Sequence, residues 1–211
     1  MANIRKTSMK NQVYEVIKDK ILTGEYDLGQ PVNITTLCNE LGVSNTPVRE
    51  ALSRLEVEGL VVSDMNKKVR VINIDDALKQ EIDYFFFTMY AGSYQTCLLQ
   101  NRIDKLVGLM EEAVARQEQV LDAKDAMAFA REAINFDRCF VEATENKRLL
   151  EHHDQLSPIL FLLTRYIHSR KSENREETLA EHRQILDAVK ANDTARVPSL
   201  LYDHYNKSLD V

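Results

Sequence analysis

The chain has 211 residues and a formal net charge of −6, from 27 Lys and Arg against 33 Asp and Glu. At about 100–200 residues per domain this makes one or two domains, large enough to bury a core without a disulfide or a structural metal. Three scattered cysteines (Cys38, Cys97, Cys139) with no Cys-x-x-Cys pair exclude a disulfide framework and a zinc finger, and no apolar run nears the roughly 18 residues of a membrane span. The opening residues carry charge without an apolar stretch, so no signal peptide is expected and the protein reads as cytoplasmic.

The acidic total is uneven. Residues 1–74 hold ten basic and nine acidic side chains, a net of +1; residues 75–211 hold seventeen and twenty-four, a net of −7. Any contact with phosphates is therefore expected in the first part. There, Val13, Val16, Ile17 and Ile21 at helical spacing predict a helix over 9–23, stopped by Gly24. Residues 34–41 predict a two-turn helix ending at Gly42. A short connection leads to Thr46, a suitable N-cap, and Pro47, favoured at the first helical position. The third helix runs to about Glu58, with Val48, Ala51, Leu52 and Leu55 facing inward, and Gly59 ends it. The β-branched runs 60–62 and 69–72 flank a polar segment and predict a hairpin. Three short helices and a two-stranded ribbon make a winged helix-turn-helix, whose tight turn between helices two and three is a DNA-binding signature. A small structural three-helix domain has the same spacing.

From Asp75-Asp76 onward the pattern predicts helices over 75–99, 101–122, 125–144, 146–155, 158–168, 175–190 and 194–208, with Asn101, Asp125, Pro158 and Asp193 marking boundaries. No alternating β-branched run occurs here, so an all-α antiparallel bundle is expected. The fold class is mainly α in two domains: a winged helix-turn-helix over 1–74 and an all-helical effector-binding and dimerisation domain over 75–211, with almost no linker between them.

The run Gly42-Val43-Ser44-Asn45-Thr46-Pro47-Val48-Arg49-Glu50-Ala51-Leu52, followed by Leu55 and Glu58-Gly59-Leu60-Val61, resembles the GntR family of bacterial transcription regulators. Ile21-Leu22, Gly24 and Leu28-Gly29 match that family's first helix and turn. The second part resembles the FadR-type (FCD) effector-binding domain through Asp137-x-x-Phe140 and Glu181-His182-x-x-Ile185-Leu186-x-Ala188-Val189 with Asp193. The resemblance implies a homodimer on a double-stranded DNA operator of two-fold symmetry, with a small metabolite in the helical domain changing DNA affinity. One recognition helix makes few base contacts, so two half-sites are needed for discrimination.

By this resemblance the start of the third helix enters the major groove. Arg49 matches the family's arginine, whose planar fork reads a guanine edge; an ion pair with Glu50 or Glu56 is the alternative. Ser44 and Thr46 match hydroxyl positions that contact phosphate. Asn45 and Thr35 stand where the family usually carries arginines, which predicts an operator departing from the family's GT…AC half-sites, with Asn45 suited to an adenine edge. On the wing, Lys67 and Lys68 are candidate phosphate or minor-groove contacts, or a solvated turn.

Family members that bind metal use an aspartate, a histidine four residues later and two further histidines. Asp137, His182 and His204 match three of these positions, and Val141 stands at the missing one. Three ligands still hold a divalent ion, zinc or nickel by their chemistry, with water or a ligand completing the shell; no organic cofactor is implied. Where the family often carries arginine and glutamate, this chain has Phe86 and Tyr90, within a run (84–87) of four consecutive aromatics. Phe86, Tyr90 and Val141 thus predict an effector more apolar than is usual, with Arg131 as a spare carboxylate partner. Core packing or a dimer interface is the other fate of these aromatics. Two further function classes stay open on the residues: a metal-dependent enzyme using Asp137, His182 and His204, and an interaction module that no longer binds DNA.

Overall fold

A computed structural model describes residues 8–64, 68–122, 126–170 and 173–206. The chain divides into two compact units, Met1–Ile74 and Asp75–Val211.

In the first unit, α1 (Met9–Thr23) buries Val13, Tyr14, Ile17 and Ile21, while Val16, expected inward, is exposed. The two-residue strand β1 (Pro31–Val32) precedes α2 (Ile34–Leu41), which is capped by the Asn33 side chain accepting from the Thr36 N–H at 3.1 Å. Gly42 closes α2 at φ 64°, a left-handed conformation that glycine takes without a Cβ penalty, and so turns the chain into α3 (Asn45–Val57). α3 starts one residue before the expected Thr46, with Ser44 at its N-cap. Pro47 still lies in the first turn, where a missing N–H breaks no intrahelical bond. The sheet completes the unit: β2 (Val61–Ser63) and β3 (Val69–Val71) pair antiparallel with Val62 opposite Arg70. Three strands are present rather than the expected two, in the order β1-β3-β2, since β1 is too short to carry any alternation in sequence.

A charged knot ties α1 to the end of α3. Glu58 is buried, and its carboxylate accepts from the Tyr14 hydroxyl at 2.6 and 2.8 Å and from Lys18 Nζ at 2.9 Å, with Arg54 Nε 3.3 Å away. The Arg54 guanidinium covers the Tyr14 ring at 3.6 Å from its centroid. Burial and the adjacent Glu58 carboxylate push the Tyr14 hydroxyl far above its ordinary range, so it stays a donor.

The second unit has six described helices: α4 (Asp76–Leu99), α5 (Ile103–Gln119), α6 (Ala126–Ala143), α7 (Lys147–Arg170), α8 (Glu173–Lys190) and α9 (Arg196–Tyr205). The helices expected over 146–155 and 158–168 are one. Pro158 removes the N–H that would bond to the Asp154 carbonyl, but the Ser157 hydroxyl donates to that carbonyl at 3.2 Å, and the helix continues. α6 is the central element, packed against α4, α5 and α7; α8 lies against α5 and α9, and α9 returns to α4. None of the described helices is long and apolar enough to cross a membrane.

The core of this unit is aromatic. Tyr90 lies against Phe86, Phe140, Tyr205 and His153, at ring separations of 5.7–6.0 Å. His153 is fully buried, with Nε2 3.0 Å from the Tyr90 hydroxyl. Burial lowers its pKa from the ordinary value, outweighing the opposing pull of Asp154.

Two outcomes follow for stability. Tyr14→Phe should destabilise the first unit by about 1–2 kcal/mol, because Glu58 keeps its burial and loses a donor; calorimetry should find the transition of that unit moved down and that of the helical unit unmoved. Below pH about 6.5 the unfolded chain protonates His153 while the native state resists, so this group contributes stability that rises with pH. The loss in urea midpoint between pH 7 and pH 5.5 should therefore be smaller in His153→Gln than in the parent.

Candidate functional site

The exposed end of α3 carries Ser44, Asn45, Thr46 and Arg49, while Val48, Ala51, Leu52 and Leu55 turn into the core. The four-residue step from Asn45 to Arg49 puts both on one face, and Arg49 Nε donates to Asn45 Oδ1 at 2.6 Å. That bond occupies the carbonyl Asn45 needs for bidentate reading of adenine, and leaves the Arg49 Nη atoms outside it. No ion pair joins Arg49 to Glu50 or Glu56 among the described residues; Glu56 instead accepts from the Ser63 N–H at 3.0 Å. Thr35 is exposed in the first turn of α2, and Lys68 is exposed beside β3. Lys67 lies outside the described residues. Thr46 and Arg49 share a surface groove with Lys10, Asn11 and Arg54, where two cations not singled out in the sequence add positive charge.

Asp137 on α6, His182 on α8 and His204 on α9 come together, with one ligand atom of each within 4.8 Å of the others. Asp137 and His182 are buried, and His204 is half-buried. Asp137 Oδ1 lies 3.9 Å from His182 Nε2, too far for a hydrogen bond, and no donor reaches it among the described residues. Burial pushes the Asp137 carboxyl up to about 6, against the opposing influence of His204 and the Tyr205 hydroxyl. Each imidazole is oriented through Nδ1: that of His182 is 2.8 Å from Gln117 Oε1, and that of His204 is 2.7 Å from Glu181 Oε2. In a neutral ring whose Nδ1–H donates, Nε2 is the atom able to bind an ion. Phe136 stacks on His182 at 4.0 Å with 10° between the planes. One carboxylate oxygen and two imidazole nitrogens, with Nδ1 of each ring anchored, is a donor set suited to zinc or nickel. Val141, fully buried four residues after Asp137, offers no ligand atom.

A cavity of about 90 Å³ opens at the cluster, where Asp137 and His204 line it together with the polar Lys79, Asp83, Thr164, Thr178 and Glu181 and the apolar Ala133, Leu160, Leu163 and Ile167. Lys79 and Asp83 form a buried ion pair one turn apart on α4. Burial raises the Asp83 carboxyl, with the Lys79 ammonium pulling the other way.

None of the four residues expected to meet an effector lines this cavity. Phe86, Tyr90 and Val141 are close-packed core, and Arg131 is exposed. The cavity thus lies elsewhere on the helical unit than these four positions. Phe86 and Tyr90 pack inward against Phe140, His153 and Tyr205, whereas Tyr84 and Phe85 of the same run are exposed; α4 contributes Lys79 and Asp83, seven and three residues before Phe86, to the cavity. The sequence reading also missed Gln117 and the partnership of Glu181 with His204. Gln117 is 65 residues from His182, so no local pattern links them.

A profile for bacterial regulatory proteins of the gntR family matches residues 9–71, and one for the FCD domain matches residues 98–207. The probable D-xylose utilization operon transcriptional repressor of Paenarthrobacter nicotinovorans is 26% identical over 95% of this chain and 87% of its own length. The gluconate operon transcriptional repressor of Bacillus subtilis is 23% identical over 98% and 86%. Among solved structures, E. coli McbR/YncC superposes with a TM-score of 0.70 at 19% identity, over 94% of each chain. A transcriptional regulator from Rhodococcus sp. RHA1 superposes with a TM-score of 0.67 at 19% identity, again over 94% of each. At that identity the likeness to the solved structures concerns the fold.

Proposed function

Because the chain belongs to the GntR family of bacterial transcription regulators, with an FCD domain behind its winged helix, we propose that it binds a two-fold-symmetric operator as a homodimer and that a small metabolite in the helical unit changes its affinity for DNA. The family is one of regulators, not enzymes, so the Asp137–His182–His204 cluster is read as a sensing site rather than a catalytic one. The observation that carries the DNA reading is the exposed face of α3, where Ser44, Asn45, Thr46 and Arg49 stand together and Arg49 is held through Nε by Asn45. Arg49 reads a guanine, while Ser44 and Thr46 contact phosphates. Thr35 takes the position of a second arginine without its charge, and Lys68 reaches the backbone from the wing. With Asn45 engaged by Arg49 rather than free to read a base, the selected half-site departs from that of relatives carrying arginine there.

In the helical unit, the buried carboxylate facing the lone pair of His182 supports a divalent ion, zinc or nickel, held by Asp137, His182 and His204. The ion supplies an electrophilic position that a metabolite can complete. The cavity is small, about 90 Å³, and combines Lys79 and Asp83 with an apolar wall of Leu160, Leu163 and Ile167, which favours a small molecule with one polar end toward the metal. The relatives named for D-xylose and gluconate operons support a metabolite from carbon-source utilisation.

Mobility shift on DNA from upstream of the chain's own gene tests the first half. The parent should bind, and Arg49→Ala should lose about 10–100-fold, corresponding to 1–3 kcal/mol for one bidentate contact; parental affinity in the variant would remove Arg49 from the interface. Elemental mass spectrometry tests the second half. Near-stoichiometric zinc or nickel is expected in the parent and little in Asp137→Ala or His182→Ala, whereas a parent without either ion after loading would overturn the metal reading.

A further inference from the structure

We infer that Gln117, on a helix that contributes no ligand, is the positioning residue of the metal cluster: it holds His182 in the tautomer and orientation that binds an ion. The inference rests on the metal reading above and adds a fourth helix, α5, to the site.

Gln117 is fully buried, and its amide oxygen lies 2.8 Å from His182 Nδ1. An amide oxygen only accepts, so Nδ1 carries the proton and Nε2 the lone pair. That nitrogen faces Asp137 Oδ1 at 3.9 Å. A cation placed between the two atoms would be held by both. The Phe136 ring, stacked at 4.0 Å, restrains tilting of the imidazole, and the hydrogen bond to Gln117 restrains its rotation in plane.

The chemical type of the residue is informative as well. His204 is oriented by a carboxylate, Glu181, whereas His182 is oriented by a neutral amide. Asp137 and Glu181 together bring two negative charges, equal to the charge of a divalent ion. A carboxylate at position 117 would set the same tautomer but leave the loaded cluster net negative in a buried setting. The amide sets the tautomer without that charge. Its own Nε2 has no acceptor among the described residues, a cost to folding that a Met or Leu would avoid and that ligand orientation accounts for.

The test uses the full chain with zinc chloride and nickel chloride as probes. Affinity is read by competition with a chelating dye, and the tautomer of His182 by nitrogen-15 NMR of the metal-free protein. The parent should show His182 protonated at Nδ1. Gln117→Met should bind zinc about 10–100-fold more weakly, with the metal-free melting temperature kept or raised. Gln117→Glu, which retains an acceptor, should bind zinc more tightly than Gln117→Met by about 10–100-fold. A parent with His182 protonated at Nε2 overturns the inference, as does a Gln117→Met variant that binds within threefold of the parent while the parent binds well. A parent that takes up neither ion overturns the metal reading together with this one.

Discussion

The Asp137 carboxylate sits inside the helical unit with no donor directed at Oδ1 among the described residues, facing the lone pair of an imidazole. Much of the surrounding structure answers to that placement. α6 is the central helix, so a charge on its inner face is remote from water, and the carboxyl is pushed up to about 6 as a result. Around it the protein supplies orientation rather than neutralisation: Gln117 and Glu181 turn two histidines inward through their Nδ1 atoms, and Phe136 backs one of them. A carboxylate buried in this state favours any cation that can reach it, which is the physical basis of the proposed metal site.

The DNA-binding unit solves a different problem, that of presenting one face of a short helix without letting the helix move. Val48, Ala51, Leu52 and Leu55 seat α3 on the core, and the knot of Tyr14, Lys18, Arg54 and Glu58 ties its far end to α1. Cooperative, multiply hydrogen-bonded charges of this kind hold geometry more firmly than one surface ion pair would. Arg49 and Asn45 lie on the opposite side, engaged with each other and with nothing in the core. Rigidity behind and an exposed arginine in front are the two requirements for reading a groove edge.

The cavity beside the metal cluster bears on communication between the units through the chain itself. The first unit ends at Ile74, and α4 begins at Asp76 with Asp75 as its cap. Lys79 is in the opening turn of that helix and Asp83 one turn later, and both line the cavity. On the proposed function, a metabolite that competes for either member of this buried ion pair would act on the segment covalently nearest the DNA-binding unit. In thermodynamic terms, the coupling is the difference in ligand affinity between the DNA-competent and incompetent states.

The sequence alone determined the elements whose signals are local. Apolar spacing with Gly24, Gly42 and Gly59 gave the three helices of the winged unit, and the motif from Gly42 to Leu52 carried the family resemblance with Arg49 in place. Asp137, His182 and His204 were also legible, though by resemblance rather than spacing, since they stand on three helices. Tertiary structure decided the rest. Pro158 reads as a helix boundary until Ser157 is seen bonding to the carbonyl that proline orphans. Phe86 and Tyr90 read as a ligand wall because periodicity states which residues share a face but not what that face meets, and here it meets Phe140, His153 and Tyr205. Gln117 carries no sequence signal at all. Backbone hydrogen bonds and side-chain periodicity are settled within a few residues of each other, whereas a polar site is assembled by packing, which brings together residues 65 positions apart at 2.8 Å.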